Sequence, residues 1–261
     1  MQADPDDLAL ALELADIADS ITLERFGATD LEVATKPDLT PVTEADTAVE
    51  HAVRERLATA RPNDSVVGEE FGDSGGGDRR WIIDPIDGTM GYVRGLPAWA
   101  TLLALQDGDE LTVAAVSAPA LGRRWWAARG GGAYLDDGLS AAPRLLHVSS
   151  IGDLSDAQLC LSAVSEWEDI GRLQRILELE RRCWRTRGFG DFWSYMLVAE
   201  GTADIGLDPQ ASLWDLAAMQ VIVEEAGGRF SDLDGERRAG GGNALATNGL
   251  LHEAVLRILA P

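Results

Sequence analysis

The segment WIIDPIDGT, Trp81 to Thr89, sets two carboxylates three residues apart at the end of an apolar run. Pro85 fixes its own backbone angle and Gly88 permits a sharp turn, so DPIDG is expected to fold back and bring Asp84 and Asp87 to the same side. Two such carboxylates repel unless a cation lies between them. Oxygen-only donors suit a hard ion, Mg²⁺ above all where a phosphate supplies further oxygens. On this pattern alone, a half-built magnesium site and a capped strand end with solvated aspartates are equally good readings. Three more acidic segments shift the balance: VVGEEFG offers Glu69 and Glu70 at another strand end, VTEAD puts Asp46 in the first turn of one helix, and SLWDLAA puts Asp215 in the first turn of another. An acid near a helix N-terminus commonly just complements the dipole. It is the co-occurrence that points to metal chemistry.

These residues need elements to hold them. Leu8 to Phe26 and Ala45 to Ala60 carry apolar residues at helical spacing, and Thr43 is the expected N-cap of the second helix with Asp46 at N3. SVVGEE reads as a short strand ending in acids, GDSGGGD as a loop, and RWIIDPIDGT as a strand entering a tight turn. From Ala98 to Tyr134, apolar stretches separated by DGDE, LG and GGG predict a run of mostly antiparallel strands. Beyond the polar link DDGLSAAPR the pattern changes to strands alternating with helices: AQLCLSAV, a helix near Asp169 to Leu179, CWRTRG, then helix, strand and helix over FWSYMLVAEG, ADIGL and LWDLAAMQVIVEEAGG. A boundary near residue 145 is expected, with an α+β unit over 1–145 and an α/β unit over 146–261.

Composition excludes several functions. The formal net charge of −22 opposes nucleic acid and anionic membranes, and no basic patch with interleaved aromatics relieves it. No apolar run approaches a membrane span and no charged, then apolar, leader opens the chain, so a cytoplasmic location is expected. Cys160 and Cys183 have neither zinc-site spacing nor a disulfide pattern, and are expected to be reduced and buried. The same negative charge would repel a phosphate unless local cations reverse it at the site. Lys36 is the only lysine among the basic residues.

Taken in order, GEE at Gly68 to Glu70, DPIDGT at Asp84 to Thr89, WDLAA at Trp214 to Ala218 and EEAGG at Glu224 to Gly228 resemble the inositol monophosphatase superfamily of metal-dependent phosphatases. The resemblance runs from the first helix almost to the C-terminus. It implies an α/β fold, a layered αβαβα sandwich of two subdomains, often dimeric. It further implies that Glu69, Asp84, Asp87, Asp215 and the backbone carbonyl of Ile86 ligate two or three Mg²⁺, while Gly88 and Thr89 present backbone N–H groups to the phosphate. Thr89 and Asp46 would form a hydroxyl–carboxylate pair orienting the attacking water, helped by Glu69. Phosphoryl transfer asks for positioning and charge neutralisation more than covalent chemistry, so no histidine is required. His51, His147 and His252 lie outside every motif.

Longer stretches, TKPDLTPVTEAD from Thr35, SAPALGRRWWAARGGGAY from Ser117 and RTRGFGDFWSYMLVAEG from Arg185, look like the actinobacterial type of histidinol-phosphate phosphatase. A substrate bearing an ammonium and an imidazole would want carboxylates and an apolar or aromatic wall. Asp191 and Asp208 are the candidates for the carboxylates, with Phe192 and Trp193 close in sequence; core packing is the expected role of Trp193. Met90, Gly91 and Tyr92 depart from the Lys-Asn-Phe or Thr-Asn-Phe usual after DPIDGT, which predicts a looser segment or a different substrate. Asp208 stands where glutamate is common. The alternatives are an inositol 1-phosphate or broad small phosphate-ester phosphatase and a catalytically silent ligand-binding homologue.

Overall fold

Asp4 accepts a hydrogen bond from the Asp6 amide and Pro5 fills the first turn, which starts α1 (Pro5–Arg25). Its apolar stripe, Leu10, Leu14, Ala15 and Ala18, is buried. The computed structural model describes residues 4–37 and 39–260. The chain divides into two compact units, the first ending at Arg144 and the second beginning at Leu145.

In the first unit, a hairpin of β1 (Val33–Thr35) and β2 (Pro41–Thr43) leads straight into α2 (Glu44–Ala60). Thr43 and Asp46 close a reciprocal capping box at its start, as their spacing predicts. There follow β3 (Ser65–Gly68), β4 (Gly72–Ser74), β5 (Arg79–Asp87), the short helix α3 (Thr89–Val93), β6 (Ala100–Asp107), β7 (Glu110–Ala118), β8 (Arg123–Ala128), β9 (Gly132–Asp136) and β10 (Arg144–Leu145). The sheet order is β10-β9-β8-β7-β6-β5-β3-β4. The registered pairs from β5 to β9 are antiparallel, whereas β3 runs parallel to β5. The period of two sends Trp81 and Ile83, Leu103 and Leu105, and Val113 and Ala115 to one face, where they pack under Leu14, Val49, Val53 and Leu57 of α1 and α2. Ile82, Leu102, Ala104 and Ala114 are also buried, so these strands read as continuous apolar runs rather than alternating ones.

The segment expected as a loop, GDSGGGD, contains β4. Gly72 turns the chain at φ +66° and Asp73 pairs back on Val67. An exposed edge strand of glycine, aspartate and serine carries no apolar alternation to reveal it.

The second unit contains β11 (Gln158–Leu161), α4 (Val164–Asp169), α5 (Leu173–Arg182), β12 (Arg185–Arg187), α6 (Asp191–Ala199), β13 (Ile205–Asp208), α7 (Leu213–Glu225), β14 (Arg229–Ser231), β15 (Ala244–Thr247) and α8 (His252–Leu259). Its sheet order is β12-β11-β13-β15-β14, parallel through the first three strands and antiparallel at β15. Leu159, Leu161, Ile205, Leu207 and Leu245 meet Trp167, Ile176, Leu179, Val255 and Ile258 from α4, α5 and α8. On β13, Gly206 points the other way, and a Cβ there would lie 3.2 Å from the Ser194 carbonyl oxygen of α6. Helices therefore cover both faces, which is the layered α/β arrangement expected. The single helix expected near Asp169 to Leu179 is two, because Gly171 at φ +71° separates α4 from α5. No helix among the described residues is long and apolar enough to cross a membrane.

Candidate active site

The first unit gathers its acids where β3 and β5 end. Along β5, Asp84 faces Leu102 and Asp87 faces Ala100, so three steps on β5 oppose two on β6. Residues three apart in a regular strand point to opposite faces; the extra residue of the bulge returns Asp87 to the side of Asp84. Each carboxylate offers an oxygen within 4.8 Å of the other. Pro85 tolerates the interrupted ladder because it has no N–H to leave unpaired, and its carbonyl accepts the buried Thr101 hydroxyl at 2.7 Å. The fold-back expected over DPIDG is a bulged strand through Asp87, and the sharp turn falls at Gly88, φ +84°, the residue expected to permit it.

Glu69 leaves β3 beside this bulge. Gly68 is in register with Ile83, and the Glu69 amide donates to the Ile83 carbonyl at 3.3 Å. The Lys36 ammonium donates to Glu69 and to Glu70, each at 2.7 Å. Burial opposes charge on Lys36, but the two carboxylates hold its pKa above the ordinary lysine value. Below the turn, the fully buried Glu50 of α2 accepts the Glu70 amide at 2.8 Å and the Phe71 amide at 3.2 Å, and pairs with Arg54. Sequence reasoning missed both Glu50 and Lys36. Signals existed: Glu50 sits one turn beyond Asp46 on the inward stripe of Val49 and Val53, and Lys36 is the single lysine of the chain.

Asp46 is fully buried. Its Oδ2 accepts the Thr43 amide at 2.8 Å and the Thr43 hydroxyl at 2.6 Å, while Oδ1 lies 3.3 Å from Thr89 Oγ1. Burial raises its pKa more than the Thr43 bonds lower it, and the Glu69 charge adds to the rise. Thr89 Oγ1 lies closer, at 2.8 Å, to the Ile86 carbonyl oxygen. A hydroxyl has one proton, so in this arrangement it goes to Ile86 and leaves the longer approach to Asp46.

Residues 89–93 are helical, contrary to the looser segment expected from Met90, Gly91 and Tyr92. Met90 is exposed, but Tyr92 is buried among Phe26 and Trp99, with ring centroids 5.4 and 4.9 Å away, and its hydroxyl donates to the Thr22 carbonyl at 2.8 Å.

In the second unit, Asp191 opens α6 in a left-handed conformation, φ +49°. Desolvation raises its pKa, as does the charge of Glu166. Asp208 ends β13, is buried, and accepts the Tyr195 hydroxyl at 2.8 Å. Burial pushes its pKa up to about 7 against that bond, helped by the like charges of Asp191 and Glu166. Phe192 is buried, and Trp193 is half-buried with its ring 5.3 Å from that of Phe189. Asp215, at the third position of α7, accepts the Ser212 amide at 2.6 Å. Of the histidines, His51 is exposed beside Glu55, and His252 is buried between Ser231 and Thr247 with its pKa lowered by burial to about 4. Both cysteines are free thiols, Cys160 buried and Cys183 half-buried.

A bulge that pairs two aspartates, a glutamate on the neighbouring parallel strand and a threonine beside a buried aspartate suit a phosphatase that uses metal. Residues 5–260 match the inositol monophosphatase family model. The chain is 56% identical to the histidinol-phosphatase of Streptomyces coelicolor over 97% of each chain, and 56% identical to that of Mycobacterium tuberculosis over 96% of each. Among solved structures it superposes on the Thermotoga maritima IMPase with a TM-score of 0.86 at 29% identity, covering 97% of this chain and 96% of that one. Motif order, strand register and full-length similarity agree, and the chain belongs to the inositol monophosphatase family.

Proposed function

We propose that this protein is a Mg²⁺-dependent phosphomonoesterase that hydrolyses L-histidinol phosphate to L-histidinol and phosphate, a step of histidine biosynthesis, as a cytoplasmic homodimer. The observation that carries the reading is the 56% identity, over 97% of both chains, to a histidinol-phosphatase.

The donor set fits a hard divalent ion: every candidate ligand is an oxygen, and Asp84 and Asp87 offer theirs within 4.8 Å of each other. Glu69, Asp84, Asp87, the Ile86 carbonyl and Asp215 would hold two or three Mg²⁺. Bound there, Mg²⁺ would supply charge neutralisation for the phosphate and acidify a water. The Gly88 and Thr89 amides would bind phosphate oxygens. Thr89 Oγ1 and Asp46 Oδ1, 3.3 Å apart, would orient the attacking water as a hydroxyl–carboxylate pair, helped by Glu69. Asp191 and Asp208 would receive the ammonium and imidazole of the substrate, a role supported by their like-charged neighbourhood, which favours a bound cation.

The test is phosphate release from histidinol phosphate, inositol 1-phosphate and an aryl phosphate, each with Mg²⁺ and with chelator. A strong, metal-dependent preference for histidinol phosphate is expected. Comparable slow turnover of all three would refute the substrate assignment, and no turnover of any would refute the activity.

A further inference from the structure

In the second unit, α5 packs against α8, and the two helices border a cavity of about 230 Å³. None of Asp191, Asp208 and Asp215 lines it. It is lined by Arg175, Arg182 and Arg257 against a single acid, Glu178, together with the apolar Leu154, Ala254 and Ile258. On α5, Arg175, Glu178 and Arg182 stand at i, i+3 and i+7, so one helix face presents all three. In a chain with twice as many acids as bases, 44 against 22, this local excess of cations runs opposite to the composition.

The cations are also unequally committed. Arg182 pairs with Glu178 one turn back on α5. Glu253, the acid one turn before Arg257, is taken by Arg229 at 2.6 Å. Among the described residues no acid lies within ion-pair distance of Arg175 or Arg257, and no side-chain hydrogen bond engages either guanidinium. Arg175 and Arg257, the latter acting on Glu253 only through longer-range charge, thus line the cavity beside its apolar residues. A guanidinium fork matches the two oxygens of a carboxylate, and the apolar lining matches a short hydrocarbon body.

We propose that this cavity binds a small amphiphilic carboxylate, its head held by Arg175 and Arg257 and its apolar body resting on Leu154 and Ile258. The site is independent of the phosphatase reaction.

Calorimetric titration of the Mg²⁺-loaded enzyme with phenylacetate tests it, with acetate and inorganic phosphate as comparisons. Saturable binding of phenylacetate is expected, with acetate weaker because it lacks the apolar body. The double variant Arg175→Gln/Arg257→Gln should bind phenylacetate more weakly by roughly tenfold or more while phosphatase activity and thermal midpoint stay unchanged. In the wild type, phenylacetate should shift amide resonances of α5 and α8. Absence of saturable binding, equal binding of acetate, binding that survives the double variant, or shifts confined to other elements would each overturn the proposal.

Discussion

Asp87 comes to the side of Asp84 because β5 holds one more residue than β6 between the pairs Asp84–Leu102 and Asp87–Ala100. The proximity belongs to the backbone and not to side-chain reach. Asp87→Asn keeps the shape and removes one charge, so the strand should fold as before while the cation loses a ligand. Mg²⁺ affinity is expected to fall by at least about 100-fold, the upper end of what even an indirect partner contributes. Equilibrium dialysis measures this, and near-wild-type affinity would remove Asp87 from the metal set.

The turn carrying Glu69 and Glu70 rests on Glu50, and Gly68 is the residue that lets Glu50 approach. A Cβ at Gly68 would stand 2.0 Å from Glu50 Oε1, which no rotamer change of the alanine can relieve. Gly68→Ala should therefore push Glu50 off the Glu70 and Phe71 amides and cost about 1–3 kcal/mol. Chemical denaturation reads the loss. A variant as stable as wild type would mean that Glu50 can withdraw without consequence.

Tyr92 makes a separable prediction about the segment after DPIDGT. Tyr92→Phe keeps the ring contacts with Phe26 and Trp99 but leaves the buried Thr22 carbonyl without its hydroxyl donor. A loss of about 1 kcal/mol is expected, with little change in turnover. Tyr92→Ala also empties the ring cavity and should cost about 3–5 kcal/mol. Equal losses for the two variants would show that the hydroxyl, and not the ring, anchors α3.

Which parts of this could be seen in the sequence follows from how local each is. The Thr43–Asp46 capping box spans four residues and needs nothing else, so the spacing alone exposes it. The acids at Asp84 and Asp87 are equally visible, but the bulge that joins them is set by pairing with Leu102 and Ala100 of β6, distant in sequence, and reads instead as a turn. Glu50 looks like one more polar residue of α2 until the turn after β3 closes on it. Gly171 sits within apolar residues at helical spacing, which read as one helix, yet its left-handed backbone splits α4 from α5.

Asp208 offers a pH test with a defined sign. Its native pKa, near 7, lies above the 3.8 of an unperturbed aspartate, so the native state binds that proton more tightly than the unfolded chain does. Between those values the native state carries the proton and the unfolded chain does not. The Asp208 contribution is therefore fully present below about pH 4 and is lost as pH rises through about 7. Asp208→Asn cannot lose a proton and still accepts the Tyr195 hydroxyl. The stability of wild type relative to this variant should thus fall by a few kcal/mol at most from pH 4 to pH 8, read by denaturation at each pH. The same ionisation governs the proposed pairing with a cationic substrate, which needs the carboxylate. Below pH 7, the KM for histidinol phosphate should rise more steeply in wild type than in Asp208→Asn. A stability difference that stays constant with pH would mean that Asp208 is ionised throughout, and would dissolve both expectations together.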